Sequence, residues 1–201
     1  MLGLPKSTEL SKQLPKKAIY EKFNMNTAAK EKFDADISRI NIVAEISPNT
    51  VPIAKGESVP VIFVLQVILK RKEFDPKTIS LISKLIAQNM LLVLDCGDER
   101  KLAVYRTKLL QTEWMKSDAC TIQLEGRILD TVWKNIIAQV GSIEIEDGRS
   151  LDEQIAADEQ KAKLEKEIAR LEKMARNEKQ PKKKFDIVQQ INKLRGGNGN
   201  G

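Results

Sequence analysis

Nine consecutive residues constrain this chain more than any others. Val61-Ile62-Phe63-Val64-Leu65-Gln66-Val67-Ile68-Leu69 carries one polar side chain and shows no alternation. A strand with one wet face alternates apolar and polar side chains. A run apolar at nearly every position reads as a strand covered on both faces. The chain therefore needs a sheet with a layer on each side, and this run belongs near its centre. The surrounding apolar stretch, Val59 to Leu69, is only 11 residues long. A membrane-spanning helix needs about 20.

Other elements follow from spacing and punctuation. Residues 1–25 read as an amphipathic lead-in, in which Pro5 and Pro15 prevent a long helix. A helix is expected over Thr27–Arg39, with Asn26 as N-cap and Phe33, Ile37 and Ile40 on its apolar side. Ile42, Val43 and Ile46 give a strand before the turn Ser47-Pro48-Asn49. Asp75-Pro76 is a helix start, an N-cap followed by proline at the first helical position. Ile79, Ile82, Leu85 and Ile86 then line one face. Strands are expected over Met90–Leu94, Leu102–Arg106, Leu109–Met115 and Thr121–Leu124, with Cys96 to Arg100 as a tight connection. Asp130–Val140 reads as an amphipathic helix closed by Gly141, with Trp133 as a core anchor.

Beyond Gly148 the pattern changes. Acidic residues from Glu144 to Glu159 give way to basic ones from Lys161. One helix from Ser150 to about Asn177 would place acids near its positive end and bases near its negative end, as the helix dipole favours. Leu164, Ile168, Leu171 and Ala175 form a seam about two heptads long. Gln180-Pro181 interrupts it. A second helix, Lys183–Leu194, presents Phe185, Val188, Ile191 and Leu194. The short connection makes an antiparallel hairpin the natural packing. The expected organisation is thus an α+β domain over residues 1–148, a hairpin over 149–195 and a disordered tail over 196–201. Its mixed β-sheet is packed by helices.

The 201 residues carry a net charge of +6, unevenly spread. Residues 1–22 contribute +3, residues 161–195 contribute +7, and the body between them is −4. Arg176, Lys179, Lys182, Lys183 and Lys184 concentrate charge near the hairpin tip. They are either a solvated end or a contact for nucleic acid or a protein partner. Lys70, Arg71 and Lys72 are read as solubilising the exit of the central strand.

The sequence contains no histidine. Ser-His-Asp and Cys-His chemistry are excluded, because each needs an imidazole. Cys96 and Cys120 form no paired motif and are read as small apolar side chains in a reducing compartment. No leader segment is visible, and a cytoplasmic location is expected. No Walker-type loop, dinucleotide-binding glycine pattern or metal-spaced cysteine cluster is present. No catalytic, cofactor or metal residues are assigned. One enzyme class stays open, a Mg²⁺-dependent nuclease with Asp95 and Glu113 as ligands. Against it, Glu113-Trp114-Met115-Lys116 has one residue more than the usual carboxylate-x-lysine spacing, so a strand would point the two side chains to opposite faces. Asp95 is instead read as a turn residue.

Several stretches together resemble a known family. They are Leu4-Pro5-Lys6, Ile19 to Phe23, Phe33 to Ile46 with Ser47-Pro48-Asn49-Thr50, Phe63 to Lys70, Ile79 to Leu94, Val104-Tyr105-Arg106, and Glu178-Lys179-Gln180-Pro181 with Phe185. Over residues 2–195 the chain is similar to the bacterial domain-of-unknown-function family 4391. The resemblance implies no catalytic residues. It implies an accessory role beside DNA helicases and methyltransferases like those of type III restriction-modification systems, in DNA modification or phage defence. The first expectation is therefore a non-catalytic adaptor that binds a helicase or methyltransferase, with DNA as a further contact of the basic hairpin. The alternatives are the nuclease and a homo-oligomer joined through the hairpin seam.

Overall fold

The computed structural model describes residues 2–144 and 148–196. The chain divides into two compact units, residues 1–144 and 145–201. In the first, seven strands are present among the described residues, in one mixed sheet of order β1-β2-β3-β4-β5-β6, with β7 also paired to β5. The strands are β1 Glu9–Leu14, β2 Ile37–Ile46, β3 Ile62–Leu69, β4 Asn89–Cys96, β5 Glu99–Tyr105, β6 Leu109–Gln111 and β7 Met115–Lys116. The helices are α1 Lys16–Lys22, α2 Thr27–Asp36, α3 Pro76–Ile82 and α4 Leu129–Gly141. The central run is β3. It pairs antiparallel with β2 and parallel with β4, and α3 makes the crossover between the parallel pair.

The two faces of the sheet bury different sets. Ile40, Leu65, Val67, Leu92, Leu94 and Ala103 share a core with Ile19 of α1, Phe33 of α2, and Ile79 and Ile82 of α3. The alternate residues, including Val64, Leu91, Val93, Leu102 and Val104, are equally buried but point the other way. Helix α4 packs along β5 and β6 with Val132, Trp133, Ile136, Ile137 and Val140 buried. The expected Trp133 anchor is thus in place. The β4–β5 hairpin turns through two residues, and Gly97 takes the first central position at φ +71°. Glycine there is what a type II′ hairpin turn requires.

Several boundaries differ from the sequence reading. The lead-in contains β1, an edge strand with almost every side chain exposed, so no burial pattern marked it. The helix over Thr27–Arg39 ends at Asp36, and Ile37 already opens β2. Ile37 and Ile40 fit a helical stripe, but both lie in the sheet core at 0% exposure. Helix α3 stops at Ile82, before Leu85 and Ile86. The strand expected over Thr121–Leu124 does not form. The side-chain amide of Gln139 takes its place, donating to Gln123 O and accepting from Gln123 N, both at 3.0 Å. Gly141 lies within α4, and Ser142 adopts the left-handed conformation after it, at φ +51°. The N-caps behave as read: Asn26 accepts from Ala29 N, and Asp75 from Lys77 N.

Helix α1 is tied to α2 by a polar cluster. The Lys16 ammonium donates to Asp34 Oδ1 at 2.5 Å and to Ile37 O at 2.6 Å. The Tyr20 hydroxyl donates to the same Asp34 oxygen at 2.6 Å, while its ring meets Phe33 edge-on. Burial, with the bond to Asp34 second, pushes the Tyr20 hydroxyl up to about 12. For Asp34, burial acts upward, but the bonds from Lys16 and Tyr20 outweigh it and leave the carboxyl below its ordinary value. Because the folded Tyr20 value lies above the unfolded one, near 10, its stabilisation is complete below pH ~10 and lost as pH rises through about 12. Denaturant titrations of the protein and of Tyr20→Phe should therefore differ at pH 8 and converge toward pH 12. A gap independent of pH would contradict this coupling.

The second unit contains α5 Leu151–Asn177 and α6 Pro181–Gly196, which pack against each other. Ser150 caps α5 with a complete capping box, each partner of the Ser150–Glu153 pair bonding the other's backbone N–H. Gly196 closes α6 instead of opening the tail. The remainder of the expected tail, 197–201, and the acidic positions Glu146 and Asp147 lie outside the described residues.

Candidate functional site

The hairpin brings its predicted cations together. Arg176 lies in the last turn of α5, Lys179 in the connection, and Lys182, Lys183 and Lys184 in the first turn of α6; all five are exposed. The dipole argument that accounts for the charge of α5 fails for α6. Three lysines crowd its positive end, and no acid occupies that turn. Stability does not call for that arrangement.

The seam is only partly as expected. Leu171, Ala175 and Ile191 are buried, and Leu164, Ile168 and Leu194 are half-buried. Phe185 and Val188 are not in it: they are 61% and 39% exposed. Ile187 faces α5 instead, beside Arg170, Lys173 and Met174. Successive steps of three residues drift by roughly 60° around a helix of 3.6 residues per turn. Phe185 and Leu194, three such steps apart, therefore end on opposite sides of α6. Arg195 clips the hairpin by a 2.5 Å ion pair to Glu172.

In the first unit, a cleft of about 460 Å³ opens beside the carboxyl end of β3. It is lined by Arg71, Lys72, Glu73, Phe74, Pro76, Lys101, Gln111 and Trp114. Three chain segments supply its cations and its ring. The β3 exit supplies Arg71 and Lys72, β5 supplies Lys101, and the break between β6 and β7 supplies Trp114. That break corrects the continuous strand expected over Leu109–Met115. Thr112 closes it, its N–H bonding Leu102 O and its hydroxyl accepting from Leu102 N, both at 3.0 Å. Trp114 is freed to pack on the face of the sheet that α1, α2 and α3 cover.

Arg71 is positioned from behind. Asp36, 1% exposed, accepts from its Nε at 3.0 Å and its Nη2 at 2.6 Å, while the second carboxylate oxygen accepts from Asp75 N at 3.0 Å. The Arg71 side chain remains 60% exposed. Lys72 pairs with Glu99. The Lys72 and Lys101 ammonium groups lie 6.0 and 5.5 Å from the centroid of the Trp114 ring. The sequence reading missed Trp114 and Lys101, and it assigned Arg71 and Lys72 only to solubility.

The nuclease residues are not arranged as that reading needs. Asp95 is no turn residue: it lies in β4, buried, where its Oδ2 accepts from Gln66 Nε2 at 2.9 Å and Arg100 Nε at 3.0 Å. Glu113 is exposed in the break after β6, and Lys116 lies on β7 opposite Glu99. No group of three or more Cys, Asp or Glu side chains that could hold a metal is found among the described residues. Cys120 is buried close to this pair, and burial pushes its thiol up, away from the reactive thiolate. No helix among the described residues is long and apolar enough to cross a membrane.

A family model described as a domain of unknown function (DUF4391) matches residues 2–196, nearly the whole chain. The chain belongs to this family. No curated protein and no solved structure matches it. For this DUF4391 member, chemistry therefore has to be argued from its own side chains. The cleft sets cations beside the half-buried Trp114 and Phe74, and the hairpin sets them beside the exposed Phe185 and Val188, arrangements suited to binding.

Proposed function

We propose that this DUF4391 protein is a non-catalytic adaptor in a bacterial DNA-modification or phage-defence module, and that its hairpin docks a helicase or DNA methyltransferase. One observation carries the reading. The outer side of α6 exposes Phe185 and Val188 one turn apart, next to three lysines that the helix dipole disfavours. Apolar side chains left in water beside a cationic collar suit a protein surface with an apolar hollow and an acidic rim. The lysines also suit DNA phosphates at the same place, with an affinity that falls as salt rises. The family resemblance supplies the class of partner, and the absence of histidine favours binding over catalysis.

The test is affinity capture of the tagged full chain from its native host at low salt, in nuclease-treated lysate. The expected result is co-purification of a helicase or methyltransferase. Replacing Phe185 and Val188 by serine should weaken that complex at least tenfold, as loss of an interface anchor does. Circular dichroism should be unchanged, because both side chains lie outside the seam. Equal capture by the variant, or capture of neither enzyme class, would overturn the reading.

A further inference from the structure

We propose that the cleft at the carboxyl end of β3 binds a nucleotide unit, with an aromatic base stacked on Trp114 and its phosphate held between Arg71 and Lys101. At about 460 Å³ the cleft lies within the roughly 300–1,000 Å³ typical of small-ligand sites. Its walls divide into a flat apolar part, Trp114 with Phe74, and a cationic part, Arg71, Lys72 and Lys101. A plain inorganic anion would use only the second part, and a plain aromatic ligand only the first. A base joined to a phosphate uses both.

The cations are not equivalent. Asp36 fixes Arg71 from the buried side, through Nε and Nη2, while the side chain as a whole stays largely exposed. A held guanidinium loses less freedom on meeting a phosphate than a loose one does. Lys72 is largely committed to Glu99. Lys101 has no ion pair among the described residues, and its ammonium rests over the Trp114 ring at 5.5 Å. A base sliding onto that ring replaces the cation–π contact and leaves Lys101 within reach of the attached phosphate. Stacking of this kind tolerates any base, since every base has a π face. Glu73 also lines the cleft and disfavours additional phosphates beside it.

The nucleotide can come free or as part of a single strand, and Trp114 reports on both. The protein has two tryptophans. Trp133 is buried in α4 at 5% exposure, and the hairpin has none. Quenching of tryptophan fluorescence by a stacked base therefore reads the cleft alone. The full chain would be titrated at low salt with adenosine monophosphate, with a 12-nucleotide single-stranded DNA of mixed sequence, and with inorganic phosphate.

Quenching by both organic probes would support the site with free nucleotides as ligand. Quenching by the oligonucleotide alone would support it with single strands as ligand. In either case Lys101→Glu should weaken binding about tenfold or more, the scale of a hydrogen bond to a charged group. The hairpin variant Lys182→Glu/Lys183→Glu/Lys184→Glu should leave the quenching by adenosine monophosphate unchanged; if only the oligonucleotide quenches, it should leave a saturating quench of the same depth, reached at higher concentration. Trp114→Phe should abolish the signal, with the melting curve of Lys101→Glu showing that the fold survives. No quenching by either organic probe would overturn the proposal. So would quenching that survives Lys101→Glu, or quenching that the hairpin variant abolishes even at saturating probe.

Discussion

Replacing Asp36 by alanine is expected to destabilise the first unit by about 3 kcal/mol. Three groups depend on this one carboxylate: the Arg71 Nε and Nη2 donors and the backbone N–H of Asp75. The side chain is 1% exposed, yet Arg71 is 60% exposed. Alanine therefore does not strand a cation in the interior, and the 3–5 kcal/mol typical of a broken buried pair is an upper bound. What remains is the loss of hydrogen bonds to a charged acceptor, about 1.5–3 kcal/mol, and an Asp75 N–H left without its acceptor, about 1–3 kcal/mol. Asp36→Asn keeps a carbonyl acceptor and should cost clearly less than alanine. Urea unfolding followed by circular dichroism measures both. A loss below ~1 kcal/mol for alanine would show that the bridge adds little beyond its own desolvation.

How far the sequence discloses this fold depends on burial. β3 and β4 were legible because both faces are covered, which leaves an apolar run that nothing else explains. Starts marked by local chemistry, Asn26 and Asp75-Pro76, were legible because a cap acts within four residues. β1 was not, since an edge strand needs only one partner and can keep its side chains in water. The helix predicted through Arg39 failed for a different reason. Ile37 and Ile40 match a spacing of three as well as a strand containing a bulge, and β2 has a register shift between Ile37 and Arg39.

The functional surfaces divide along the same line. The lysines at the hairpin tip are contiguous in sequence and were visible at once. Their apolar neighbours were seen but misplaced: Phe185 and Val188 were assigned to the seam, because steps of three resemble a stripe until the helix has turned far enough to separate them. The cleft was invisible. Its cations stand at 71, 72 and 101 and its ring at 114, and a tertiary event brings them together: the break at Thr112 that turns Trp114 onto the face carrying Lys101. An unbroken strand through Met115 would have been the simpler reading of that segment, and it hides the site.

Gly56→Ala should be the other large effect, also about 3 kcal/mol, although no positive φ is involved. A Cβ at this position would overlap the Asp130 carboxylate, come within 2.6 Å of its Cγ and lie 2.8 Å from its backbone nitrogen. The carboxylate alone could move, at the expense of its bonds from Ser58. The Ser58 hydroxyl and then its backbone N–H hold Asp130 below the ordinary carboxylate range. The backbone nitrogen cannot move as easily. Leu129 N donates to Ala54 O and Ala54 N to Arg127 O, both at 3.0 Å, which pins the start of α4 to the loop carrying Gly56. Relief therefore requires shifting either that loop or the helix whose Leu129, Val132 and Trp133 are buried. Overpacking against such a frame costs about 1–3 kcal/mol, and the backbone contact places this case at the upper end. Adding Asp130→Ala to Gly56→Ala should recover only the side-chain part, so the double variant should remain less stable than Asp130→Ala alone. Equal unfolding midpoints for those two would mean that the carboxylate was the whole obstacle and that the loop and α4 are less firmly joined than their hydrogen bonds indicate.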